Sequence, residues 1–464
     1  MATPKLSQRP RVLVVGGGYL GLYVAKSLQK KVRVHGGIVT LVDPLPYMTY
    51  QPFLPEVMAG SIEPRHITVP HARHLRQTEL VRGKVTGIDH ASKTATVEGV
   101  DGESFEIPYQ DVVLAAGAIT KTFPIPGLAD AGIGVKRVEE ALWIRDHVQE
   151  RIQFADNTTD PEARKRALRF IVVGGGFNGV ETISELQDAA RVAAEQCQNI
   201  TPADLDFQLI EAMPKIMPEV KPETAEWVVE HLRSRGINVR LQTSLGDATD
   251  QHLKLTSMAN DDTKGQVIDE FDVDTLIWTA GVMANPMVRN TDFNIEPRGR
   301  VVVDAKLRAL DADGNVIEGA WSAGDVAATP DLTGHGLPDN TCVPNAQHAV
   351  RQSKVLANNL YATRYGVGEV ADYKHESLGA VAGLGYGKGV AKLIKWPLTG
   401  FLAWAAHRGY HGLAIPTIER KVRVFSGWIN QAIAGRDVSG MRNLQAPKAD
   451  FVEAATPKKK PAAK

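Results

Sequence analysis

VLVVGGGYLG at Val12–Gly21 returns, little changed, as FIVVGGGFNG at Phe170–Gly179. In each copy a β-branched run meets three glycines, and a fourth glycine follows three residues on. Such a run predicts a buried parallel strand, a tight turn and the first turn of a helix whose free N–H groups hold a pyrophosphate. One copy implies one dinucleotide. Two copies a domain's length apart imply two, held by successive Rossmann-type units, with electrons passing from one cofactor to the other.

Around the first copy, Gly16 permits the turn, Gly18 lets backbone approach phosphate, and Gly21 lets helix and strand pack closely. A helix is predicted from Tyr19 to about Leu28, with Leu22, Ala25 and Leu28 on one stripe. The next strand, Ile38–Val42, ends at Asp43, where a carboxylate accepts both hydroxyls of a ribose; capping the strand before Pro44 is the other reading. The spacing exceeds the usual run of about 20 residues, and KVRVHGG is expected to absorb the excess as a turn. DVVLAAGA (Asp111–Ala118) predicts another buried strand, ending in a turn at Gly117. Much later, NVIEGAWSA (Asn315–Ala323) runs into Gly324, Asp325, Val326 and Ala327. That pattern predicts a short strand, then small residues opening a helix, with Asp325 beside the first dinucleotide, as the helix N-cap, or both.

Gly174, Gly176 and Gly179 repeat the three glycine roles in the second copy. The following strand ends at Ile210 and is succeeded by Glu211, after extra helix and loop in Ala190–Asp206. An acid there accepts the two ribose hydroxyls of NADH and repels a 2′-phosphate, and no arginine follows it immediately, which favours NADH over NADPH. A solvated strand-end charge is the plainer reading. Glu181 sits early in the second helix, where the macrodipole favours an acid, on the side that would face nicotinamide. DVDTLIWTAGV (Asp272–Val282) closes this unit with a strand and a turn at Gly281, echoing DVVLAAGA, as a duplicated architecture would.

Composition sets the outer limits. The chain has 464 residues, is 43% hydrophobic and 23% charged, and supplies two or three domain cores. Its formal net charge is zero, so overall electrostatics give no reason to expect nucleic acid. Cys197 and Cys342 are the only cysteines, and neither a CxxC pair nor a metal-ligand cluster is present. MATPKLSQRP at the start reads as a short polar arm.

With these motifs in place, the chain resembles the type II NADH dehydrogenases, single-subunit flavin-containing NADH:quinone oxidoreductases of respiratory membranes. The resemblance spans roughly Arg11 to Asn443. It includes YQPFLPEVMAGSIEPRHITVP (Tyr50–Pro70), FPIPGL (Phe123–Leu128), the GDVA run at Gly324, NAQHAVRQ (Asn345–Gln352), LGYGKGVAK (Leu384–Lys392) and the GFLAW segment at Gly400. It implies FAD on the first unit, NADH/NAD+ on the second, and nicotinamide stacked on the flavin. By the same resemblance Glu181 lies near nicotinamide and quinone, Gln347 is the first glutamine of an AQxAxQ motif at the flavin's quinone-facing edge, and Lys388 is a lysine near the flavin. Arg351 replaces that motif's second glutamine. An arginine donates only and is always charged, which points to stronger binding of a quinone carbonyl, to a menaquinone-type or otherwise different acceptor, or to turning away and pairing with an acid. Phe177 and Asn178 replace the usual Pro-Thr after the glycines.

The expected fold class is therefore α/β: two Rossmann-like dinucleotide-binding domains of the flavoprotein disulfide-reductase type, plus a C-terminal amphipathic helical membrane-binding region. The expected division is an FAD domain in two parts, 11–165 and 299–385, an NADH domain at 166–298, the amphipathic region at 386–443 and a disordered basic tail at 444–464. A sulfide:quinone oxidoreductase or a disulfide reductase would need nucleophilic cysteines beside the flavin, which two isolated cysteines do not supply. A soluble-acceptor reductase and a flavin-based redox sensor share the fold and are separated from the quinone reading only by turnover.

No apolar run approaches the roughly 20 residues of a transmembrane helix. From Lys388 to Arg436, however, eight Lys or Arg face one acid, Glu419, and three of the seven tryptophans (Trp396, Trp404, Trp428) fall in this stretch. Val424, Trp428 and Gln431 to Ile433 suggest one apolar stripe; Leu398 to Ala406 suggests another, broken by Gly409 and Gly412. Basic amphipathic helices with interfacial aromatics lie in an anionic leaflet; packing on the FAD domain or on a second copy is the alternative. The resemblance favours peripheral attachment at the cytoplasmic face of the cell membrane, meeting a membrane quinone there, and allows a homodimer.

Overall fold

The computed structural model describes residues 6–260, 262–376, 379–393, 396–441 and 446–456, without the side chains of 392, 393, 396 and 397. The elements that frame the site are β1 (Arg11–Val15), α1 (Tyr19–Val34), β2 (Ile38–Asp43), β3 (Asp111–Leu114), β4 (Arg169–Val173), α2 (Phe177–Ala194), β5 (Asp206–Ile210), β6 (Thr275–Trp278), β7 (Val316–Ser322), α3 (Ala346–Tyr365), α4 (Gly400–Ala414) and α5 (Ile418–Ala434).

Two sheets carry the two glycine motifs. The first, of eight strands, runs Arg308–Leu310, β7, β3, β1, β2, Thr78–Asp89, Thr94–Gly99, Ser104–Pro108. β1 is central and parallel to both β2 and β3, and every residue of β1 and β3 is buried. Burial on both faces explains the unbroken apolar run of RVLVV, which an alternating strand would not show. Because β7 pairs in parallel with β3, a segment some 200 residues later completes the same sheet. The second sheet, of five strands, runs Gly132–Gly134, β6, β4, β5, Ile237–Arg240, all parallel. It recruits Gly132–Gly134 from the span expected to belong to the first unit. An antiparallel ribbon, Ala118–Thr120 with Val282–Ala284, ties the two units together just after Gly117 and Gly281.

The glycines do steric work where expected. Gly16 has φ +100° and a Cβ there would sit 2.5 Å from the Ala115 carbonyl oxygen; Gly174 has φ +109° and would meet Ala280 N at 2.6 Å. At Gly21 and Gly179 a Cβ would fall on the carbonyl of the turn glycine five residues back. Any side chain at these positions would force helix and strand apart.

Three local expectations are corrected. α1 runs to Val34, so KVRV is helix and not a turn, its Val32 buried in the core. No helix opens at Gly-Asp-Val-Ala: Gly324–Val326 is a single 3-10 turn leading into the short strand Ala327–Ala328. The helix beside it is α3, whose Gln352 side-chain oxygen accepts from Gly324 N at 2.7 Å, so Asp325 caps no helix there. Nor is α4 broken at Gly409 and Gly412. Gly412 is the place where α5 closes on α4, its Cβ position 2.9 Å from the Phe425 ring and 3.0 Å from Trp428.

The C-terminal stripe also divides differently. Arg420, Val424, Trp428 and Gln431 of α5 face inward and are buried, Trp428 standing edge-on to Phe53 with centroids 5.5 Å apart. Ile418, Val422, Ile429 and Ile433 face outward, with Ile433 83% exposed. The two sets are offset by two residues, about 200° around a helix. Within the span expected as a disordered tail, Ala449–Ala455 forms a short exposed helix; 457–464 and the Trp396 side chain lie outside the described residues. No helix among the described residues is long and apolar enough to cross a membrane.

Candidate nucleotide and electron-transfer site

The two strand-end acids repeat one geometry. Asp43 at the end of β2 accepts from Gly17 N at 2.5 Å and Leu45 N at 2.7 Å. Glu211, just past β5, accepts from Gly175 N at 2.6 Å and Met213 N at 2.8 Å. Each carboxylate thus ties its glycine turn to its strand end. Burial pushes the Asp43 carboxyl up, opposed by its two N–H donors and by His71.

A cleft of about 1080 Å³ extends from the first turn. Gly16, Gly18, Asp43, Gly117, Lys136, Asp325 and Ala349 all line it. A Cβ on Gly18 or Gly117 would meet no atom within 4 Å, so both offer bare backbone to open space. That is a cradle for a pyrophosphate-containing dinucleotide, and the residues present fit the FAD expected from the resemblance. Asp325 and Lys136 face one another: burial raises the Asp325 carboxyl against the lysine's charge, and burial lowers Lys136 against the aspartate's.

The other predicted residues gather in two groups. Glu181, early in α2, accepts from Gly383 N at 2.9 Å and lies 3.0 Å from His407 Nε2 on α4. Lys388, in the turn after Gly379–Gly383, lies 3.9 Å from Asp188, two turns along the same face of α2, where Arg235 also sits at 2.7 Å. On α3, Gln347 and Arg351 are one turn apart. Arg351 Nη1 donates to the Gln347 carbonyl at 3.1 Å, and Gln347 Oε1 is 3.1 Å from His375 Nε2. Burial, then the charge of Arg351, takes His375 down to about 4. Ala346 and Ala349 of the same helix line the cleft, so the AQxAxQ segment presents its alanines to the cleft and its glutamine and arginine toward His375.

Sequence reasoning missed the charged layer between the C-terminal segment and both nucleotide units. Glu56, buried in the short helix Leu54–Met58, accepts from Trp428 Nε1 at 2.8 Å and lies 3.0 Å from Arg408 Nη2. Arg436 holds Glu185 of α2 with two contacts of 3.0 Å, both side chains 5% exposed. His411 Nδ1 lies 3.0 Å from the Tyr50 hydroxyl. Only the repeated histidine in HRGYH, at i and i+4 of a helix, hinted at this layer. The cysteines stay apart and free, and burial pushes the Cys342 thiol up to about 11, the opposite of an activated nucleophile.

The sequence profile of the pyridine nucleotide-disulphide oxidoreductase family matches residues 10–353. The external alternative NADH-ubiquinone oxidoreductase of Yarrowia lipolytica mitochondria is 27% identical over 80% of this chain, which spans 62% of that protein's length. The type II NADH:quinone oxidoreductase Ndh of Mycobacterium tuberculosis is 25% identical over 92% of this chain and 89% of its own. Among solved structures, NDH2 from Plasmodium falciparum in complex with NADH superposes with a TM-score of 0.82 at 18% identity, covering 93% of this chain and all of that one. The likeness confirms a paired Rossmann-type fold with a C-terminal helical region. With the profile spanning most of its length and two nucleotide-type units in place, the chain belongs to the pyridine nucleotide-disulphide oxidoreductase family, and its resemblance to the type II NADH dehydrogenases is borne out.

Proposed function

We propose that this chain is an FAD-dependent NADH:quinone oxidoreductase working at a membrane surface without pumping protons, with menaquinone the acceptor we favour. The observation that carries the reading is the duplicated stitch of Gly17 to Asp43 and Gly175 to Glu211, each beside a parallel strand pair, on two sheets. Two such units in one chain serve two nucleotides, and the electron path between them is the function. FAD, bound along Gly16, Gly18, Asp43, Gly117, Gly324 and Asp325, supplies hydride acceptance from NADH and electron donation to quinone. The protein's own part is placement and electrostatics. Gly174, Gly176, Gly179 and Gly281 shape the second nucleotide's turn, and Glu211 selects NADH by accepting its ribose hydroxyls. Gln347 orients the quinone head group. Arg351 and Lys388 supply positive charge against the charge that develops on it, and Glu181 handles a proton at its Oε1.

The outward apolar residues of α4 and α5, with Lys421 and Arg423 beside them, are assigned to an anionic lipid surface on the cytoplasmic face. A second copy of the chain is the competing occupant of that face. The test is NADH oxidation by the FAD-loaded protein with menaquinone and ubiquinone analogues, with and without anionic vesicles. Rapid quinone reduction with NADH preferred over NADPH is the expected result. Rapid flavin reduction without quinone turnover would leave the NADH site and remove the quinone assignment.

A further inference from the structure

Beside the large cleft lies a second, narrow crevice, lined by Pro52, Glu56, Glu181, Glu185, Trp404 and His407. Gln51 lines the cleft and Pro52 the crevice, so the two adjoin. The side chains of α2 and α4 meet in it: Glu181 Oε1 stands 3.0 Å from His407 Nε2, with the histidine side chain only 5% exposed. His411, one turn on, packs edge-on against His407 with centroids 4.7 Å apart. We propose that His407, contributed by the C-terminal helix, is the proton-carrying partner of Glu181 during quinone reduction. The inference rests on the quinone reading and on the proton role of Glu181 within it.

The balance of the reaction requires such a partner. Reducing a quinone to the quinol takes two electrons and two protons, whereas NADH gives two electrons and one proton as hydride. One further proton per turnover must come from outside. In the proposed step the His407 Nε2–H bond breaks and a Glu181 Oε1–H bond forms. Glu181 then passes that proton to a carbonyl oxygen of the quinone as it gains electrons, and neutral His407 is recharged from water. His407 acts through Glu181 and is a positioning residue, not a catalytic one.

The charges around the pair suit that assignment. His407 faces Glu181 and Glu185 from α2, Glu56 from Leu54–Met58, and Arg408 and His411 from its own helix. Burial opposes its charged form, but contact with Glu181 and the added charge of Glu56 raise it above its ordinary value. His411 goes the other way, lowered by burial and then by the charge of His407; it faces the Tyr50 hydroxyl, with Tyr410 next to it in the chain. The two histidines on this face are thus shifted in opposite directions, His407 toward its charged form and His411 away from it.

Imidazole nitrogen NMR on the FAD-loaded, full-length protein tests this directly. His407 should be protonated at pH 7 and should lose its proton at lower pH in E181Q; a His407 that is neutral at pH 7 overturns the proposal without any variant having to fold. In H407Q and H407N, turnover of a short-chain menaquinone analogue should fall by about a hundredfold or more, and the alkaline limb of its pH profile should disappear. Bleaching of the bound flavin by NADH should persist. An H407Q protein with wild-type quinone turnover and an unchanged alkaline limb sinks the histidine role. If E181Q is slow while H407Q is fast, only the histidine inference fails. If E181Q itself turns over at the wild-type rate, the reading of Glu181 fails, and this inference with it.

Discussion

Asp43 and Glu211 carry the same two-donor arrangement on different sheets, yet their consequences separate cleanly. Each accepts one N–H from its glycine turn and one from two residues beyond itself. Replacing Glu211 by Gln keeps the size, removes the charge and turns one acceptor into a donor facing an N–H. A hydrogen bond to a charged group contributes about 1.5–3 kcal/mol, so kcat/KM for NADH should drop by roughly ten- to a hundredfold. NADPH, no longer repelled, should lose much less, and the NADPH-to-NADH ratio should rise. Flavin content should not change, because Asp43 serves the other nucleotide. An E211Q protein with unchanged NADH kcat/KM and an unchanged ratio would reduce Glu211 to a strand-end cap.

At the scale of elements, the most exposed question is what seats α4 and α5 on the nucleotide units. Apolar contact through Trp428 and Phe53 is one part; the buried pair of Arg436 and Glu185 is the other. Burial raises Glu185, the charges of Glu56 and Asp188 add to that, and Arg436 opposes it. Removing one partner from a buried pair costs about 3–5 kcal/mol, because the other charge is left without compensation, whereas replacing both by apolar groups of similar volume is close to neutral. R436M should therefore lower the unfolding free energy by about that amount, and the E185L/R436M double variant should recover most of it; urea unfolding measures both. A single variant as stable as the parent would mean that water reaches Glu185. This layer also marks the limit of what the sequence made legible. The glycine turns could be read because each is a local rule: a positive φ, a close approach and a β-branched run within ten residues. Arg436 and Glu185 are 251 positions apart, and nothing local to either predicts the other. For the same reason the stripe of α5 was seen but its inward and outward faces were not separated, since Trp428 is apolar enough for lipid and large enough for a core.

For the whole molecule, the outward face of α4 and α5 is the surface assigned above to lipid. Phe401, Leu402, Leu413, Ile418, Val422, Ile429 and Ile433 are all exposed, on two helices that contact one another, while the inward faces are buried against the rest of the chain. A patch of this kind on two neighbouring helices calls for an occupant. Each aliphatic side chain taken out of water contributes about 1.5–3 kcal/mol. Substituting Ile418, Val422 and Ile429 together by Ser should then lower partitioning onto phosphatidylglycerol vesicles by about a hundredfold or more, and quinone turnover in those vesicles should fall with it. NADH oxidation by ferricyanide should be unchanged, because neither nucleotide unit is touched. Binding to the parent protein should also weaken as salt rises, since Lys421 and Arg423 stand beside the apolar stripe and the attraction of basic residues to anionic lipid is screened. If the triple variant still sediments with vesicles but its sedimentation coefficient drops from that of a dimer to that of a monomer, the face belongs to a second copy of the chain, and the lipid contact must be sought elsewhere.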